Sequence, residues 1–224
     1  MQTQYKGAIF DMDGLLFDTE RMYQQIWQEI AEEMNLELDK GFPAAISGTN
    51  GEYMRHVVER YYHVPDGNSI VEECMRRIRE RLSAHVPIKK GVHEILAFFQ
   101  EKEIRMAVAS SSSVQQIQSN LETAGIREYF SDIVSGTEVR HGKPAPDIFL
   151  CAAEKINCEA DKCFVFEDSE NGIKAGYAAG CITVMIPDLI EPSPDIRPYC
   201  TKIYSDLLEA GKEIGELFTF KSCI

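Results

Sequence analysis

The sequence predicts an α/β fold: a parallel sheet covered by helices on both faces, with an all-helical segment inserted directly after the first strand. Three observations predict it. From residue 92 onward, short apolar runs alternate with stretches of helical spacing, the rhythm of a doubly wound parallel sheet. Between residues 18 and 87, apolar residues recur at helical spacing and no strand pattern occurs. The run KGAIF at residues 6–10 reads as a buried strand that stops at an acidic cluster, so it belongs with the second half of the chain.

The elements follow in order. After the first strand come Gly14 and an apolar Leu15-Leu16-Phe17, then Asp18-Thr19, a helix start. Met22, Tyr23, Ile26, Trp27, Ile30 and Met34 share one helical face. Helices are predicted over 50–62 and 69–84, with a turn-rich loop at 46–51 before them. The alternating half predicts helices at 92–100, 114–124, 147–155, 171–179 and 207–218. Its strands fall at 105–109, 133–134, 163–166, 182–186 and 203–204, with a proline-containing loop at 187–198.

Bulk properties bound the function. The 224 residues suit one large domain, or one domain with a smaller insert. A formal net charge of −13 repels nucleic-acid backbones and anionic membranes, so neither is expected as a partner. Seven cysteines, an odd number with no C-x-x-C pair, fit a reducing compartment rather than a disulfide framework. No signal peptide or long apolar run is read, so the expected location is cytoplasmic. The expected state is a monomer.

In open parallel sheets, ligands bind beyond the carboxyl ends of the strands. The first strand ends in Asp11-Met12-Asp13-Gly14 and the second in Ser110-Ser111. The strand at 163–166 ends in Glu167-Asp168, and Gly142-Lys143-Pro144 precedes a helix. That places four carboxylates, a hydroxyl and a lysine on one rim. Acids so close raise each other's pKa unless a cation sits among them. Carboxylate donors without Cys or His suit Mg²⁺, and Lys143 would balance remaining charge. Taken singly, each piece has a structural reading: a turn, a helix cap or a solvated lysine. An EF-hand reading fails, because Gly14 and an apolar run follow Asp13 instead of further ligands.

The motifs FDMDGLLFDTE at 10–20, VASS at 108–111, GKPAPDIF at 142–149 and FEDSENG at 166–172 resemble the four motifs of the haloacid dehalogenase (HAD) superfamily. The order and intervals match over nearly the whole chain. The likeness is to the branch that contains β-phosphoglucomutase, pseudouridine-5′-phosphatase and sugar-phosphate phosphatases. It implies a Rossmann-like core of residues 1–17 and 88–224, with a helical cap of residues 18–87 that sets specificity. It further implies a phosphatase acting on a small phosphorylated metabolite, with Asp11 as nucleophile and Asp13 as acid/base. Mg²⁺ would be held by Asp11, the Asp13 carbonyl and Asp168, with Glu167 nearby or also ligating. Ser110, the Ser111 amide and the Met12 and Asp13 amides would meet the phosphoryl oxygens, and Lys143 would pair with Asp11 and the phosphate.

Three other readings compete. Metal-free dehalogenation is opposed by Asp13 and the Glu167-Asp168 pair. A β-phosphoglucomutase-like mutase would need a cap histidine and a phosphate-binding arginine, and those positions align with Tyr23 and Gly51. A silent binding protein would have no use for Asp13. For the substrate, the polar loop residues Ser47, Thr49 and Asn50 suit a sugar hydroxyl or a base edge, or merely form a turn. A hexose phosphate or nucleoside monophosphate is the expectation.

Overall fold

Residues 7–10 carry side chains that can be buried on both faces of a strand, and they form β1 (Gly7–Phe10), buried along its whole length. The computed structural model describes residues 5–46, 49, 51–189 and 191–217. The chain divides into two units, Met1–Phe17 with Pro87–Ile224, and Asp18–Val86.

In the larger unit, β2 (Arg105–Ser110), β3 (Asp132–Ser135), β4 (Cys163–Glu167), β5 (Ile182–Met185) and β6 (Lys202–Ile203) join β1 in a six-stranded sheet among the described residues. The spatial order is β3-β2-β1-β4-β5-β6 and every pairing is parallel. The chain runs outward from β1 through β2 to β3, then returns to lay β4 on the other side of β1. The switch point of this Rossmann-like sheet therefore lies between β1 and β4.

The period-2 alternation of each strand gives the sheet two different faces. On one face Ile9, Ala107, Ala109 and Val165 pack with Phe149, Ala152 and Ala175. These last three belong to α7 (Asp147–Lys155) and α8 (Glu170–Ala178). Many of these residues are small, and a Cβ on Gly176 would lie 2.9 Å from Val165. On the other face Phe10 stacks on Phe166 at 4.7 Å and meets Phe99 of α5 (Val92–Glu101) edge-on at 6.1 Å. Beside α5 lies α9 (Leu207–Leu217). Between β2 and β3, α6 (Val114–Thr123) is capped by Ser113, whose hydroxyl accepts from the Gln116 amide.

The smaller unit contains, among its described residues, α1 (Thr19–Glu33), α2 (Phe42–Ile46), α3 (Gly51–Tyr62) and α4 (Asn68–Ala84), with no strand. Trp27 is its centre: Phe42 and Tyr62 meet it edge-on at 6.0 and 6.3 Å, and the Tyr62 hydroxyl donates to the Trp27 carbonyl at 2.6 Å. Arg77 joins α4 to α1 by donating to Glu33.

Two expectations need amendment. The segment 187–198 is not loop throughout, because Pro194–Tyr199 forms a 3-10 helix that buries Ile196. Proline at its first position lacks only an N–H that a helix start leaves unpaired. Ahead of the 46–51 loop, Phe42–Ile46 adds α2, one turn and too short to show a period. No helix among the described residues is long and apolar enough to cross a membrane. Cys74, Cys151, Cys158, Cys163, Cys181 and Cys200 are free thiols.

Candidate active site

Beyond the C-terminal ends of β1, β2 and β4 the larger unit gathers Asp11, Asp13, Ser110, Lys143, Glu167 and Asp168. The Asp11 amide donates to the Phe166 carbonyl at 3.0 Å, extending the β1–β4 ladder into the acidic motif. The chain then folds back sharply: the Leu16 and Phe17 amides donate to the Met12 carbonyl, and the Gly14 amide to the Phe17 carbonyl. Gly14 takes φ +87, and a Cβ there would lie 2.3 Å from an Asp168 carboxylate oxygen. Glycine is thus required twice, for the backbone and for the space that Asp168 occupies. The Met12 side chain is fully buried and serves as core.

Lys143 is the charge centre. Its ammonium pairs with Asp11 Oδ1, donates to Glu167 Oε1 at 2.6 Å and to the Ala109 carbonyl at 3.1 Å. Those contacts use all three of its N–H donors. The ammonium also lies 5.2 Å from the centre of the Phe149 ring. Burial disfavours the charged lysine, but Asp11 and Glu167 outweigh burial and hold its pKa above the ordinary value.

Glu167 is fully buried, and both its oxygens have donors. Oε1 faces Lys143, and Oε2 accepts from the Ser169 amide and hydroxyl, each at 2.9 Å. The start of α8 closes around this carboxylate: a Cβ on Gly172 would lie 1.8 Å from Oε1. Sequence reasoning placed Glu167 beside or on a metal; here its hydrogen bonds go to the lysine and to the helix start.

The site carries more negative charge than Lys143 can balance. Burial pushes Asp11 up to about 7; Lys143 opposes the shift, and Glu167 and Asp13 add to it. Burial, then Glu167 and Asp11, raise Asp168 well above the usual carboxylate range. Among the described residues, no three His, Cys, Asp or Glu side chains are arranged to hold a metal unaided. The donor chemistry nonetheless fits Mg²⁺, which takes one or two carboxylates and fills its shell with water and substrate phosphate. Asp11 and Asp168 are the two carboxylates that could hold it.

The second strand supplies hydroxyls. Ser110 is buried and its Oγ accepts from the Ser112 amide at 3.1 Å. Ser111 is exposed, and it packs so closely on the end of β3 that a Cβ on Gly136 would lie 3.1 Å from its Cα. Ser112, absent from the expected set, donates its hydroxyl to Asp13 Oδ2 at 2.8 Å. In the smaller unit, the Thr49 hydroxyl donates to the Ile46 carbonyl at 2.7 Å and closes a turn. Ser47 and Asn50 lie outside the described residues.

Residues 8–186 match the model of the family described as haloacid dehalogenase-like hydrolase. The chain belongs to that family. The phosphorylated carbohydrates phosphatase of Thermotoga maritima is 30% identical over 78% of this chain and 82% of its own. The probable pseudouridine-5′-phosphatase of Drosophila melanogaster is 35% identical over 81% of each chain. A HAD family hydrolase from Deinococcus radiodurans R1, solved with bound phosphate and sodium, shares the fold with a TM-score of 0.82. That match has 22% identity and covers 96% of this chain and 97% of the other. The chain is accordingly a phosphatase of the haloacid dehalogenase-like family.

Proposed function

We propose that this HAD phosphatase is magnesium-dependent and hydrolyses a small phosphate monoester, a sugar phosphate or a nucleoside monophosphate, through an aspartyl-phosphate on Asp11. The observation that carries the proposal is the nucleophile's setting. Asp11 is buried against Lys143, with Asp13 two residues on and Asp168 on the neighbouring strand end.

In this reading Asp11 attacks phosphorus, and Asp13 protonates the departing ester oxygen as the P–O bond breaks. Asp13 then takes a proton from the water that releases phosphate. Lys143 orients Asp11 and offsets its charge, and Glu167 orients Lys143. Ser110 and the Met12, Asp13 and Ser111 amides face the phosphoryl oxygens. Asp11, the Asp13 carbonyl and Asp168 would hold Mg²⁺, which would offset the repulsion between the nucleophile and the phosphate.

The substrate class is supported by the relatives named for phosphorylated carbohydrates and pseudouridine 5′-phosphate. In our reading the helical unit of residues 18–87 is a cap that sets specificity through Ser47, Thr49 and Asn50. Hydrolysis is favoured over a mutase by Tyr23 and Gly51, which stand where the resemblance would put a cap histidine and a phosphate-binding arginine. Initial rates with Mg²⁺ over a panel of hexose phosphates, nucleoside monophosphates, pseudouridine 5′-phosphate and phosphoglycolate test the proposal. Release of phosphate from one sugar or nucleoside ester well above the rest supports it; no release from any ester, or full activity in excess chelator, refutes it.

A further inference from the structure

We infer that Ser112 is a positioning residue whose hydroxyl fixes the plane of the Asp13 carboxyl group for proton exchange with the ester oxygen. The inference rests on the phosphatase reading above, in which Asp13 is the acid/base.

The serine run at 110–113 supplies four hydroxyls in a row, and the fold gives them different work. Ser110 Oγ is 3.5 Å from Asp13 Oδ2, at the limit of a hydrogen bond, and accepts from the Ser112 amide. Ser111 is exposed. Ser113 caps α6. Ser112 alone among them reaches Asp13 at an ordinary hydrogen-bond length, 2.8 Å.

Its backbone is held on both sides. The Ser112 amide donates to Ser110 Oγ at 3.1 Å, and its carbonyl accepts from Ser135 Oγ at 2.6 Å. Ser110 and Ser135 are register partners on β2 and β3, and both are buried. Ser135 is fixed in turn by the capping box it forms with Glu138. The Ser112 hydroxyl is therefore carried by the sheet rather than by a free loop. A carboxyl group turns easily about its terminal torsion, so a donor at one oxygen decides which way the other faces.

Esters that differ in leaving group test this. An alkyl phosphate must have its departing oxygen protonated, whereas p-nitrophenyl phosphate releases a phenolate that is stable without a proton. For both esters kcat/KM reports the steps up to release of the first product. In Ser112→Ala, kcat/KM for the alkyl ester should fall about tenfold, while that for p-nitrophenyl phosphate stays within about twofold. Ser112→Thr, which keeps the hydroxyl, should restore the alkyl rate. Ser112→Cys keeps the shape but weakens the donor, and should repeat the alanine contrast if alanine fails to fold. Equal losses on both esters, the mark of a merely loosened site, overturn the inference, as does an unchanged alkyl rate. A wild-type enzyme inactive on both esters with Mg²⁺ refutes the phosphatase reading itself; an active one without the contrast refutes only the role of Ser112.

Discussion

Asp11 sits between an ammonium and two further carboxylates, so its charge is set by a few neighbours, each of which can be changed. Asp11→Asn keeps the shape and an acceptor for Lys143 but removes the proposed nucleophile. Turnover should drop below about one percent of the native rate, with an unchanged circular dichroism spectrum. Gly172→Ala addresses the same charges from behind. The added methyl would enter the space of the Glu167 carboxylate, 1.8 Å from Oε1. Glu167 must then move and Lys143 loses one of its acceptors. We expect kcat to fall at least about tenfold, because small displacements of catalytic groups are costly. Steady-state kinetics of the purified variant check this. The acidic residues were legible in the sequence because each ends a strand or opens a helix, positions where a polar group has a reason to stand. Gly14, Gly172 and Ser112 were not. The contacts that give them meaning lie 154, 5 and 99 positions away in the chain, at Asp168, Glu167 and Asp13, and a run of four serines does not say which hydroxyl turns inward.

At the scale of elements, the alternation of β1 and β4 sorts aromatics onto one face of the sheet and smaller side chains onto the other. Phe166 is the joint of the aromatic layer, in contact with Phe10, Phe99 and Phe164. Phe166→Ala removes a fully buried ring and should cost about 3–5 kcal/mol in equilibrium denaturation. At that cost the loss of activity would track the loss of folded protein, unlike the loss in Gly172→Ala. The strands and longer helices could be read from periodicity because each spans enough residues to repeat its pattern. Phe42–Ile46 and Pro194–Tyr199 could not. One turn of helix has no period to detect, and the prolines at 192, 194 and 198 suggest an irregular loop as readily as a 3-10 helix.

For the whole molecule, the excess of acid at the site links stability to pH. A carboxyl whose folded pKa is raised binds its proton more tightly in the folded state. Its contribution is complete below the unfolded value and is lost as pH rises through the folded one. For Asp11 that window runs from about 4, where an exposed aspartate titrates, to about 7. Asp168 shifts in the same direction. Without metal, Tm should therefore decline between about pH 4 and about pH 7, and the gain in Tm on adding Mg²⁺ should be larger at the upper end. Thermal scans in chelator and in excess Mg²⁺ check both statements. A gain that is equal at both ends would mean that the cation does not meet these carboxylates.

The position of β1 within the sheet also bears on how the protein is made. This strand is made before either of its partners, residues 105–108 on one side and 163–166 on the other. Order of synthesis and order of pairing are therefore opposed. A nascent chain ending before β4 exposes one full edge of an apolar strand, a surface that recruits chaperones or pairs with other chains. The same chain lacks Glu167 and Asp168, so it holds the proposed nucleophile with no complete site around it. Synthesis thus brings the candidate site together late, when the fourth strand pairs with the first.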